Sequence, residues 1–242
     1  RVGADDDAGA RRMVVDGLAL AVVVGALVGG AVFLGADPVV RLVGAGPDVA
    51  PPAALYLATV ALGLPLAGAS DALEAGFVGR GDSRASLWIN VATVAVNVVL
   101  DPILIFGFGP IAGMGVRGAA LATVAGYAAG LSLALALALG PRMNLSRRHL
   151  TLTAADFREL LSVGAPITGR QVVSQSVRVL LVGVVAVAGG AAGLAAYTIG
   201  ARVASVAVLP SRGLGQAAQS MVGQNVGADR PDRARRTTRV GV

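Results

Sequence analysis

The chain has 242 residues, 55% of them hydrophobic and only 14% charged, against about 45–50% and about 25% in soluble globular domains. With a mean hydropathy of +0.73, this balance excludes a disordered chain and points to a membrane-embedded protein rather than a soluble enzyme. The net charge is +6, every basic residue is an arginine, cysteine is absent and His149 is the only histidine, which excludes thiol catalysis, disulfides and multi-histidine metal sites.

A bilayer core needs about 20 predominantly apolar residues per helix. Six segments meet that need, at about 13–34, 53–77, 86–108, 118–140, 160–188 and 191–221. They are built mostly of Ala, Val, Leu and Gly, and small residues let membrane helices approach closely. Pro65 and Pro210 fall inside spans, where a missing backbone donor kinks a helix. Thr153 and Asp156 have the spacing of a capping box, so a short helix is expected to lead into the fifth span.

The arginines alternate between loops. The segments near 1–12, 78–85, 141–159 and 223–239 hold fourteen, whereas the remaining connections hold two, Arg41 and Arg117. The positive-inside rule places the arginine-rich loops in the cytoplasm of a multi-pass protein of the cell membrane. It also accounts for a pI near 11.1 without nucleic acid.

Val2-Gly3-Ala4-Asp5 followed by Ala10-Arg11-Arg12 recurs as Val226-Gly227-Ala228-Asp229 followed by Ala234-Arg235-Arg236, a constant offset of 224. Six spans separate the copies, so both lie on one face and the halves are parallel, a known transporter plan. The chain is therefore expected to be a window of a twelve-span protein. It divides into a first-lobe part at 1–140, a cytoplasmic linker at 141–159 and a second-lobe part at 160–242.

Four ordered motifs carry a family resemblance. Gly79-Arg80-Gly81-Asp82-Ser83-Arg84 is similar to a G-x-G-D-T-R turn, and Asn97 to Gly107, with Asp101-Pro102 inside, is similar to N-x-x-L-D-P-x-x-I-x-G. Gly115 to Thr123 resembles G-x-x-G-A-A-x-A-T, and Val222 to Ala228 resembles V-G-Q-N-x-G-A. Together they resemble the multidrug and toxic compound extrusion (MATE) family, with this chain over its helices three to eight. The resemblance implies an all-α polytopic membrane bundle of twelve helices in two lobes, working by alternating access. It implies a cation site in the first lobe at Asn97, Asp101 and Thr123, with a further Asp on a first helix outside this window. Ser174 stands eight residues after Pro166, where some members carry a Glu, which favours the branch named for DNA-damage-inducible protein F over a second-lobe sodium site.

The residues themselves give a parallel reading. Asn97 and Asp101 share one helix face, and a carboxylate in mid-span is costly enough to need a cavity or partner. There Asp101 can carry a proton or Na+; the other reading is an interfacial hydrogen bond before Pro102. Thr123 is either a site hydroxyl or a packing one. Gln171, Ser174, Gln175 and Arg178 are candidates for a water-filled cavity wall, while Arg170 is expected to snorkel to the interface. Arg202 and Arg212 have the same two readings. Asp71 and Glu74 pair with Arg80, Arg84 or loop arginines as an inner gate, or sit at a solvated interface. Asp16, one turn into the first span, is expected at the interface.

These readings converge on a monomeric secondary antiporter that exports organic, often cationic or amphipathic, compounds against protons or sodium ions, without a cofactor or a resident metal. The alternatives are a lipid-linked precursor flippase of the same architecture and an intramembrane enzyme. The latter lacks any H-E-x-x-H or G-x-S-x-G motif, and His149 lies in a loop.

Overall fold

The computed structural model describes residues 2–4, 6–42, 46–145 and 154–241. It divides into two compact units, Arg1–Thr151 and Leu152–Val242. After a short 3-10 turn at Val2–Ala4, the first unit contains α1 (Asp7–Leu42), α2 (Ala50–Ala61), α3 (Leu64–Gly79), α4 (Ser83–Phe106), the strands β1 (Gly107–Phe108) and β2 (Ile111–Ala112), and α5 (Val116–Leu139). The second contains α6 (Ala154–Gly227) and α7 (Pro231–Gly241). Among the described residues, four helices are long and apolar enough to cross a membrane, and five if α2 and α3 count as one span bent by 47°. The chain is an all-α polytopic membrane bundle.

The bend divides the second span expected at 53–77, next to the Pro65 at which a kink was expected. Pro65 falls in the first turn of α3, where its missing N–H costs nothing because no intrahelical partner exists there. Gly63 is buried at the break, and a Cβ there would stand 3.0 Å from Tyr127 and from Val124 of α5. The break thus lets α5 approach the backbone.

The α3–α4 connection is a tight device written into Gly79 to Arg84. Gly81 has φ +85°, its N–H donates to the Val78 carbonyl at 2.9 Å, and the Asp82 N–H donates to the Phe77 carbonyl at 2.9 Å. That paired pattern closes a helix through one left-handed residue, for which glycine is the natural choice. Asp82 then starts α4, its Oδ1 accepting from the Ala85 N–H at 3.1 Å, which satisfies a free helix-start donor.

α4 and α5 pack through a stripe of small residues. Gly118, Ala122, Gly126, Gly130, Ala134 and Ala138 recur every fourth position of α5 and are all buried. A Cβ on Gly126 would come within 2.8 Å of the Thr93 carbonyl, one on Gly118 would overlap the Leu104 carbonyl, and one on Gly130 the Thr93 hydroxyl. The largest side chains of the core, Leu73, Phe77, Ile89 and Met143, gather at the other end of this interface with Ala85, Ala134, Ala138 and Leu145. This is the arginine-rich end. There Arg80 reaches Asp7 at 3.1 Å and Arg142 reaches Asp82 at 2.9 Å, so α1, the α3–α4 turn and the end of α5 are tied together.

The strands were not expected from the sequence. Gly107 pairs with Ala112 and Phe108 with Ile111 in a small antiparallel hairpin at the opposite end of α4.

In the second unit, Gly190 interrupts α6 with φ +58° and ψ −155°. A Cβ on Gly193 would lie 3.5 Å from the Val185 carbonyl, a closeness that eight residues of continuous helix cannot give. The chain therefore reverses, and α6 is two arms of a hairpin.

The repeat has a structural counterpart at the same offset. α1 begins at Asp7 and α7 at Pro231. The Ala10 N–H donates to the Asp6 carbonyl at 2.9 Å, and the Ala234 N–H to the Arg230 carbonyl at 3.1 Å. Ala10 and Ala234 are both buried. Thr153 and the side chain of Asp156, the expected capping box, and the loop residues Arg147, Arg148 and His149 lie outside what the structure describes.

Candidate functional site

Asn97, Asp101 and Thr123 come together at the α4–α5 interface. Asn97 and Asp101 are one turn apart on α4, and α5 brings Thr123 to the same level because the small stripe allows the two backbones to approach. The Asn97 carboxamide lies 3.5 Å from Thr123 Oγ1. In the amide orientation that satisfies both neighbours, Asn97 Nδ2 donates to Asp101 Oδ2 at 3.1 Å and Asn97 Oδ1 accepts from the Thr123 N–H at 3.2 Å. Thr123 Oγ1 itself donates to the Ala119 carbonyl at 3.0 Å, leaving its lone pairs as acceptors. Pro102 follows Asp101 inside the helix and cannot donate to the Val98 carbonyl, which is freed from the α4 ladder. The cluster thus offers a carboxylate, a hydroxyl and carbonyl oxygens at one half-buried point, a donor set suited to a proton or a hard monovalent cation. The Asn97 bridge leaves the second carboxylate oxygen of Asp101 available.

Of the gate candidates, Asp71 is exposed, as the solvated-interface reading has it, and Glu74 has partners other than arginine. Glu74 Oε2 accepts from Ser86 Oγ at 2.8 Å and from Asn90 Nδ2 at 2.6 Å, both on α4. Among the described residues no arginine pairs with Asp71 or Glu74; Arg80 is drawn instead to Asp7, and Arg84 stays exposed. The reason is register: the tight Gly81–Asp82 turn folds α4 back on α3 and sets Ser86 and Asn90 against Glu74.

Asp16 also departs from expectation. It is 2% exposed, within the helix bundle rather than at an interface. Val15 and Leu18 beside it pack on the Leu73–Phe77 cluster, and Gly76 of α3 lets α1 come close, since a Cβ there would stand 2.8 Å from Val14. Sequence offered only its position one turn into a span.

In the second unit, Gln171 and Gln175 line an open groove of about 600 Å³ with Thr168, Val172, Ser176, Val179 and Leu180. Ser174 and Arg178 are not among its described lining residues. Arg170, Arg178 and Arg202 are exposed on this unit. The side chain of Arg212 lies outside the described residues.

The MatE family model matches residues 1–103 and 166–242. Curated relatives include the FAD transporter of Shewanella oneidensis, 27% identical over 208 residues that make up 85% of this chain and 45% of that one. They also include the multidrug resistance protein NorM of Burkholderia vietnamiensis, 33% identical over 159 residues, 64% of this chain and 34% of that one. Among solved structures, a MATE protein in a straight conformation superposes with a TM-score of 0.84 at 25% identity, over 99% of this chain and 53% of that one. A transporter of the MOP superfamily from Pyrococcus furiosus superposes with a TM-score of 0.87 at 24% identity, over 99% of this chain and 53% of that one. The chain therefore spans about half the length of the relatives it matches. With most of its residues matched by one family model and its fold superposable on about half of a solved MATE protein, the chain belongs to the MatE family.

Proposed function

We propose that the protein carrying this chain is a secondary antiporter of the cell membrane, exporting organic compounds in exchange for protons or sodium ions. The observation that carries the reading is the Asn97 bridge between Asp101 and Thr123 at a helix contact inside the membrane-spanning part. A carboxylate within a membrane helix, held by an amide that also reaches the neighbouring helix, has little value for packing, since a hydrophobic side chain would insert at lower cost. It has value if its charge changes during the cycle. Protonation of Asp101, or capture of a cation by its free oxygen, would neutralise the cluster and shift the balance between two conformations.

The fourteen arginines of the alternate loops put the α3–α4 turn and the start of α7 in the cytoplasm, and the β1–β2 hairpin on the outer face. Relatives named as multidrug resistance proteins and as an FAD transporter support a cargo among organic molecules. Asp71 and Glu74 lie toward the cytoplasmic end; Glu74, held by two neutral donors, is a polar lining there rather than half of an ion-pair gate.

The test uses the complete protein in liposomes. Dye export driven by a proton gradient, with and without sodium, is compared for the wild type and Asp101→Asn. Loss of export at unchanged expression is expected, and the sodium arm identifies the ion. Unchanged export by the variant would remove Asp101 from the coupling machinery.

A further inference from the structure

The charges inside the spans are segregated by sign. In the first unit the membrane segments contain Asp16, Asp71, Glu74 and Asp101 and no arginine; in the second they contain Arg170, Arg178, Arg202 and Arg212 and no carboxylate from 160 through 228. Between 160 and 228 these four guanidiniums thus have no acidic residue on their own helix arms.

Their depths differ. Arg178 and Arg202 lie twelve residues before and after Gly190, the reversal of the hairpin. At about 1.5 Å per residue each stands about 18 Å from that turn, in the middle of a hydrocarbon layer about 30 Å thick. Arg170 and Arg212 lie about 30 Å or more from the turn, at the cytoplasmic boundary, where a long side chain reaches water. Snorkelling therefore accounts for Arg170 and fails for the deeper pair. Arg178 has a polar approach along its own helix, with Ser174 and Gln175 one turn away and Arg170 and Gln171 two turns away.

We propose that Arg178 and Arg202 form an anion-recognition pair, and that the exported compound carries a carboxylate or phosphate group. Two guanidiniums at one depth offer planar, multidentate donors suited to such oxyanions. A purely cationic cargo meets like charge there without compensation. The first unit handles the coupling cation and the second the negative group of the cargo. The inference rests on the antiporter reading for the word cargo, but the binding it asserts is measurable without transport.

The experiment measures binding of carboxyfluorescein, a soluble organic anion, and of ethidium, an organic cation, to the complete protein in phosphatidylcholine nanodiscs, by fluorescence anisotropy. Carboxyfluorescein is expected to bind, and Arg178→Gln with Arg202→Gln to weaken it by about tenfold or more, as loss of charge-assisted hydrogen bonds does. The Lys pair is expected to retain part of the affinity. Equal binding by wild type and the Gln variant overturns the proposal, as does preference for ethidium. Repeating the measurement with phosphatidylglycerol separates the two sources of anionic oxygen. If the Gln variant loses only phosphatidylglycerol and not the dye, the pair holds a lipid headgroup and the cargo assignment fails. Dye binding without proton- or sodium-driven transport would sink the antiporter reading and leave this one; transport with charge-blind binding would do the reverse.

Discussion

Asn97 holds two helices with one side chain, donating along α4 to Asp101 and accepting across to α5 at Thr123. Asn97→Ala is expected to reduce proton-driven export by at least about tenfold, because an unanchored Asp101 loses a charge-assisted bond; rates in liposomes at matched protein density would check it. Asp82 is a second two-handed residue, capping α4 with one oxygen and pairing with Arg142 through the other. Asp82→Asn keeps the cap and removes a half-exposed ion pair worth about 0–1 kcal/mol. Asp82→Ala removes both and is expected to cost about 1 kcal/mol more, read as a lower melting temperature in detergent for Ala than for Asn. Asn97 and Asp101 were legible in the sequence because four residues make one helical turn, and Thr123 because its motif accompanies theirs. Glu74 was legible as a polar residue in a span, but its partners were not. Ser86 and Asn90 face it only once the Gly81 turn has set the register of α4 against α3. The burial of Asp16 was hidden for a similar reason, since it depends on how closely α1 approaches α3.

At the scale of elements, five of the six expected spans could be read from apolar length, α2 with α3 counted as one; among the described residues the segment at 160–188 is not one of the helices long and apolar enough to cross a membrane. What could not be read were the features that depend on backbone contact. A kink in the second span was legible from Pro65, but its place at Leu62–Gly63 goes with the approach of α5, and the hairpin at Gly107–Ala112 comes from two short strands with little hydrophobic pattern. The α4–α5 seam gives a direct test. Gly130→Leu would drive a side chain into Thr93, and overpacking of this kind costs about 1–3 kcal/mol. The expected result is a lower melting temperature together with weaker export, since the same seam positions Thr123. Gly118→Leu, farther from the core cluster but against the Leu104 carbonyl, is expected to act in the same direction.

At the scale of the whole molecule, loop charge and repeat were legible because each is a pattern over many residues, and neither depends on side-chain packing. The orientation they imply is open to a labelling experiment in a cysteine-free background of the complete protein. Pro110→Cys, on the β1–β2 turn, is expected to react with a membrane-impermeant maleimide in intact cells. Ser83→Cys, at the start of α4, is expected to react only after the membrane is opened. The reverse pattern would invert the molecule. The offset of 224 has one more consequence. Ala10 and Ala234 occupy the same place in two helix starts, each sealed by the same backbone bond one turn long. A larger side chain at either wedges open its own half and leaves its twin untouched. The protein therefore carries an internal control: a matched pair of defects, one per half, whose unequal effects on export would report which half moves against which during the cycle.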